Sequence, residues 1–293
     1  MSKGTPLTAI ARQAGDFSPK GNLPALRADF ALLEAEGGPI DMAQQLTAEN
    51  RLLFTLPESD LRQFEKSLVP IHLTQDQSLY VQDDPFEFLY FPVDCVVSTV
   101  SVMGDGATVE VAMTGREGVT GIVSVFGDHK ARNWTRVLIA GGALRAKADA
   151  VQRLFRESEA AQHVLLGYYR SLITQISQRA VCNGRHTILQ RLACWLLMLH
   201  DRVGVDEIRL TQEEMAGRLG VRRAGVTQAA RVLLASEAVN YNHGRINVLD
   251  RAILEYIACE CYKVQREEFA SPGEKIGGGQ IARHWNGYIF TTR

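Results

Sequence analysis

Residues 211–235 read TQEEMAGRLGVRRAGVTQAARVLLA, and they decide how the rest of the chain is interpreted. Thr211 is a good N-cap, and Glu214 sits three residues on, where a capping box places its acid. The stretch therefore predicts a first helix over 212–219, a sharp turn at Gly220 and a second helix beginning near Arg222. Two short helices that cross steeply must approach closely. That requires a small residue on the first, a glycine in the turn and apolar side chains at the contact. Ala216 is the small residue, four before Gly220. Met215, Leu219, Val221, Val226 and Ala229 occupy the positions expected to be buried. The pattern is that of a helix-turn-helix.

On the C-terminal side, Ala238–Tyr241 and Arg245–Leu249 flank Asn242-His243-Gly244, which reads as a β-hairpin wing. Its tip brings His243 or Arg245 to a phosphate; an ordinary solvated turn is the equal alternative. The exposed start of the second helix is expected to enter a major groove. It carries Arg222, Arg223, Thr227, Gln228 and Arg231, with no acid between Val221 and Ala235. Arg pairs bidentately with guanine and Gln with adenine, so Arg223 and Gln228 are the expected base readers. Arg222, Thr227 and Arg231 are assigned to phosphates, which position a protein without reading sequence. Thr211 and Gly225 join this set, Gly225 as a point of close backbone approach to DNA or a merely tolerated glycine. For any one arginine the plain alternative is a solvated surface charge.

Residues 250–269 read as one final helix. On it Cys259 and Cys261 are at i and i+2, about 200° apart, and so do not chelate a metal together. They are expected to pack beneath the wing, and neither metal nor cofactor is expected. The tail 271–293, with Gly277-Gly278-Gly279, Trp285, Tyr288 and Phe290, is a mobile extension or a small docking segment.

Upstream, a helix is expected over 187–203, separated by Asn183-Gly184 from a long one over 151–184. The long helix carries Val164, Leu165, Tyr168, Leu172 and Ile176, the last three at spacings of four. A helix of this length buries its stripe against a second copy of itself, or only against its own barrel. The first reading makes these five residues a dimer seam. Residues 46–150 read as short strands. Val100 and Val102 lead into Gly104-Asp105-Gly106 and on to Val109, Val111 and Met113, a hairpin signal. Further strands are expected at 88–91, 119–125 and 136–140, which implies a small barrel or sandwich. Residues 1–45 read as a mobile extension with one short helix near 26–35.

Composition agrees with a soluble globular protein of 293 residues, 46% hydrophobic and 22% charged. No apolar run is long enough for a membrane span, and the N-terminus lacks the apolar core of a secretory signal, so a cytoplasmic location is expected. Lys plus Arg number 32 against 33 acids, so net charge does not point to nucleic acid. Between Cys182 and Arg251, however, ten Arg and no Lys face seven acids. Five scattered cysteines in such a chain read as reduced thiols.

The order of β-roll, long helix, second helix and winged helix-turn-helix resembles the Crp/Fnr family. The resemblance runs from about Asn50 to Phe269. LYFPVDCVVS at 89–98, GREGVTGIVSVFG at 115–127, QRLACWLLMLHDR at 190–202 and the helix-turn-helix carry it. It implies an α+β chain with a cyclic-nucleotide-binding-like roll, a dimerisation helix and a DNA-binding domain over 185–270. It also implies a homodimer reading a two-fold symmetric duplex, with RNA polymerase a candidate partner and the effector unassigned.

Two departures limit what carries over. Cyclic-nucleotide binders hold the ribose with a Glu after a Gly, but here Gly121 is followed by Ile122. The phosphate-binding Arg falls near Arg132, without a following hydroxyl. The position that contacts the base appears as Ile176, with Ser177 beside it. Gly121, Ile122, Arg132 and Ser177 thus mark a degenerate effector pocket, and dependence on cyclic AMP is not expected. On the recognition helix, the glutamate that many members use maps to Ala224, so an operator cannot be transferred.

The family's iron–sulfur branch uses N-terminal cysteines, and none precedes Cys95. His72, His129 and His163 read as surface or core groups rather than haem ligands. Cys182 and His186 have the spacing of a nucleophile and base, without a third group or an oxyanion loop, and no enzyme activity is expected. The rival to DNA binding is an interaction module whose winged helix docks a protein.

Overall fold

The computed structural model describes residues 46–270 other than Asp128 and His243. The expected N-terminal extension, the C-terminal tail and the role of His243 lie outside the described residues.

Two short helices, α1 (Arg51–Phe54) and α2 (Glu58–Phe64), precede seven strands. These are β1 (Val69–Leu73), β2 (Ser78–Tyr80), β3 (Phe88–Pro92), β4 (Val96–Val102), β5 (Thr108–Thr114), β6 (Trp134–Ile139) and β7 (Gly141–Lys147). They form antiparallel sheets of order β1-β7-β3 and β2-β6-β4-β5. Leu73, Cys95, Val97, Val137 and Ala143, drawn from both sheets, pack in one core. The β4–β5 hairpin forms where Gly104-Asp105-Gly106 predicts it. Val102 lies opposite Thr108, and Gly106 takes a φ of 84° that its missing Cβ permits. The strand expected at 119–125 is not one. Gly121 and Gly127, both left-handed, bracket a 3-10 helix over Ile122–Phe126 instead.

The single long helix of the sequence reading is two. Helix α3 (Ala148–Glu157) stops at Ser158, which is extended and whose side chain caps Ala161 N–H to start α4 (Glu159–Arg185). Helix α4 has 27 residues and so spans about 40 Å. It runs through Asn183-Gly184 and ends at His186. Helix α5 (Ile188–Val203) opens on a complete capping box at Thr187 and Gln190 and carries the most buried part of the second core, with Trp195 1% exposed.

Then follow β8 (Glu207–Arg209), α6 (Gln212–Leu219), α7 (Arg223–Ala235), β9 (Val239–Asn242) and β10 (Arg245–Val248), with the three strands in order β8-β10-β9. The final helix is broken. Helix α8 (Arg251–Ile257) stops before an extended Ala258, and α9 (Cys261–Ala270) begins after Glu260. Cys259 and Cys261 thus flank a break rather than share a helix, and the argument that separated them by 200° does not apply.

The roll and the helix-turn-helix are in direct contact. Val96, Met113 and Leu138 of the roll belong to the same core as Trp195, Leu199, Met215 and Leu219. Glu110 on β5 is fully buried. Its carboxylate accepts from Arg179 Nη2 at 2.8 Å, from Trp195 Nε1 at 2.7 Å and from Ser98 Oγ at 2.6 Å. Nearby, Arg202 on α5 pairs with buried Glu117 at 2.8 Å.

Candidate nucleic-acid interface

Helix α6 begins as its sequence dictates. The Thr211 hydroxyl accepts from Glu214 N–H, and the Glu214 carboxylate accepts in return from Thr211 N–H at 2.6 Å. A capping box satisfies donors that would otherwise face water. Thr211 is exposed, but this hydroxyl is already engaged in local structure. Gly220 ends the helix in the left-handed region, φ 61°. A Cβ there would also come within 2.7 Å of Val109 Cγ2 on β5, so the turn glycine serves both the backbone and the contact with the roll. Met215, Ala216, Leu219, Val226 and Ala229 are buried as expected, and Val221 is half-buried against the same core.

Helix α7 presents a polar face. Arg222 (its N-cap), Arg223, Ala224, Gln228 and Arg231 are exposed, and the helix contains no acid. The nearest carboxylate to Arg223 is Glu213 on α6, 3.9 Å away, with both side chains largely solvated. Such a pair is worth little and yields readily to a phosphate or base. Thr227 is only half-buried, and its hydroxyl donates to Gln212 Oε1 at 2.6 Å, which ties α7 to α6. On the hairpin, Arg245 is exposed and lies 3.5 Å from Glu207. The structure therefore gathers Arg222, Arg223, Gln228 and Arg231 on one exposed element and sets Arg245 on the adjoining hairpin.

Gly225 is half-buried and packs towards α5. A Cβ at this position would lie 2.7 Å from Ile188 Cδ1 of α5, so the glycine admits a neighbouring helix.

The expected effector residues lie on the 3-10 segment, the loop before β6 and helix α4. Gly121 faces Tyr80 and Phe86, whose rings meet edge to face at 4.9 Å, and its Cβ would collide with the Tyr80 hydroxyl at 2.8 Å. Ile122 is buried in the 3-10 helix, while Arg132 and Ser177 are exposed. Burial pushes the Tyr80 phenol well above its ordinary range, so that it stays a neutral donor to Phe88 O.

The expected seam residues divide. Leu165 and Tyr168 are buried, Tyr168 against its own roll. Tyr168 OH donates to Val119 O at 3.0 Å, and its ring fills the space that a Cβ on Gly118 would need. Val164 and Leu172 are half-buried, and Ile176 is exposed. The exposed large apolar residues of α4 are Leu166, Ile173, Ile176 and Val181. Leu166, Ile173 and Ile176 follow one another at seven and three, the spacing of a coiled-coil seam. Spacings of four drift off that seam, which is why the sequence reading caught the inward face as well.

Comparison with known proteins places this geometry. Residues 190–257 match the family model of the Crp-like helix-turn-helix domain. Among solved structures, the chain is similar to FixK2 from Bradyrhizobium japonicum, with 18% identity over 66% of this chain and 98% of that one and a TM-score of 0.58. A protein from Eubacterium rectale described as a transcriptional regulator of the Crp/Fnr family shares 15% identity over 73% and 97% of the two chains, TM-score 0.56. The c-di-GMP responsive global regulator CLP from Xanthomonas campestris shares 13% over 66% and 99%, TM-score 0.55. At these identities the likeness establishes the fold. No curated protein matches the chain.

Proposed function

Because the chain carries a Crp-like helix-turn-helix domain on the fold of the Crp/Fnr-type regulators, we propose that it is a DNA-binding transcription regulator acting as a homodimer, without cyclic AMP. The observation that carries this reading is the exposed, acid-free face of α7, with Arg222, Arg223, Gln228 and Arg231 held beside the capped helix α6. Arg223 and Gln228 reach base edges. Arg222, Arg231 and, at the wing, Arg245 hold phosphates.

The exposed stripe of Leu166, Ile173 and Ile176 supports pairing along α4, with half-buried Leu172 at its margin. Two recognition helices related by that two-fold axis enter successive major grooves about 34 Å apart. Ile122 where a ribose-binding carboxylate would be needed, and Tyr80 and Phe86 packed against Gly121, support independence from cyclic AMP. No helix among the described residues is long and apolar enough to cross a membrane, and a cytoplasmic site of action beside RNA polymerase follows from the reading.

Fluorescence anisotropy on a mixed-sequence duplex tests it. Affinity is expected to fall steeply with salt, as released counterions require. Simultaneous replacement of Arg222, Arg223 and Arg231 by Ala should remove most of that dependence. Binding indifferent to this triple change would transfer the role of the winged helix to a protein partner.

A further inference from the structure

Four side chains that the DNA-binding reading leaves unused converge at the joint between the long helix and the DNA-binding half. The donor atoms of Cys182, His186, Cys259 and Cys261 all lie within 4.8 Å of one another. Cys182 Sγ is 3.5 Å from Cys259 Sγ, and Cys261 Sγ is 3.6 Å from His186 Nδ1. We propose that these residues form a Cys3His site for a single tetrahedral zinc ion, which clamps the end of α4 to the break between α8 and α9.

The spacings are those of a closed coordination shell. Zinc–sulfur bonds of about 2.3 Å and zinc–nitrogen bonds of about 2.05 Å at tetrahedral angles set ligand edges of about 3.8 Å between sulfurs and about 3.6 Å between sulfur and nitrogen. A disulfide, at about 2.04 Å between sulfurs, is far shorter than the separation found. Three thiolates with one imidazole, and no oxygen donor, select a soft tetrahedral ion over magnesium or calcium. A polynuclear iron–sulfur centre needs its ligands spread over several irons, which a set this compact does not offer.

The chain delivers the ligands in a way that suits a clamp. Cys182 and His186 are four apart at the end of α4 and therefore share a face. Cys259 and Cys261 stand on either side of an interhelical break, which lets both thiols turn the same way. All three cysteines are buried, Cys261 to 1% exposure.

The surroundings fit a metal-bound histidine. Glu260 Oε1 lies 3.2 Å from His186 Nε2, which leaves Nδ1 turned towards the thiols. A carboxylate on the far nitrogen is the usual second partner of a ligating histidine. Three thiolates around a divalent ion leave one negative charge. Arg191, close enough to interact electrostatically with Cys182 and Cys259, has a buried Nε without a hydrogen-bond partner. The same guanidinium donates through Nη2 to Leu219 O, the last carbonyl of the first helix of the helix-turn-helix. Cys194 adjoins Cys182 and Cys259 without being one of the four converging donors. On loading, the thiol protons leave to solvent and the ion takes their place.

Elemental analysis of the full-length, untagged protein, purified under reducing conditions, tests the proposal, followed by replacement of the ion with cobalt(II). About one zinc per chain and an intense tetrahedral cobalt spectrum with thiolate-to-metal charge transfer are expected. Cys259→Ser should abolish both. Two milder variants keep the test informative should that one fail to fold. Cys194→Ser should keep the full zinc content, and Glu260→Gln, at an exposed position, should weaken cobalt affinity about 10–100-fold. A protein that takes up no stoichiometric metal after reconstitution with zinc salt would overturn the proposal. So would an octahedral cobalt spectrum, or iron with acid-labile sulfide in place of zinc.

Discussion

The carboxylate of Glu110 on β5 lies 2.7 Å from the indole Nε1 of Trp195 on α5, a buried hydrogen bond that joins the roll to the DNA-binding half. Arg179 of α4 donates to the same oxygen and, through the same Nη2, to Arg218 O of the helix-turn-helix. One side chain thus links the roll, the long helix and the helix-turn-helix.

Glu110→Ala strands the buried Arg179 charge and leaves the Trp195 donor without an acceptor. Removing one partner of a buried pair costs about 3–5 kcal/mol. Urea denaturation should show a loss of that size. Glu110→Gln, which keeps an acceptor for the indole, should lose distinctly less. Equal losses would mean that the charge on Glu110 is not what the site uses.

Arg223→Ala should lower affinity for a selected duplex by about 1–3 kcal/mol and relax preference at a single base pair. Arg231→Ala should weaken binding evenly across sequences and reduce the salt slope by about one. Competition titrations with point-substituted duplexes separate the two. Interchanged behaviour would reassign reader and anchor.

Gly225→Ala sets helix propensity against packing. Alanine gains about 1 kcal/mol as a helix former, and the one atom its Cβ would meet, Ile188 Cδ1 at 2.7 Å, is the end of a half-buried side chain that can turn aside at little cost. Unchanged or slightly raised stability is expected in thermal unfolding, and a clear loss would show that Ile188 cannot move. Lost DNA affinity with unchanged stability would instead mean that the glycine faces the duplex.

Ile173→Glu combined with Ile176→Glu places two charges on the exposed stripe of α4 without touching the core. Sedimentation analysis should show a monomer that retains the native circular dichroism. A dimer that survives both changes would locate its seam elsewhere.

The helix-turn-helix was legible because its demands are local and stringent. A capping box, a turn glycine and a handful of buried positions within twenty-five residues leave few other ways to fold, and α6 runs over 212–219 as predicted. The β4–β5 hairpin was legible for the same reason. Features that depend on distant partners were not. Tyr168 and Ile176 look alike on a helical wheel, and only the roll packed against Gly118 decides that one turns inward. Ser158 interrupts what periodicity reads as one helix, since a serine within a helix and a serine capping a new one are the same letter. The break after Ile257 was hidden likewise, because Ala258-Cys259-Glu260 carries neither proline nor glycine to announce it.

The most direct measurement of the central claim is selection of bound sequences from a random duplex library by the purified, ligand-free, full-length protein. The account predicts enrichment of a two-fold symmetric site with half-sites about one helical turn apart. It also predicts that Arg223→Ala loses the preference at one position in each half. Recovery of an unselected pool from protein that is folded and dimeric would contradict it.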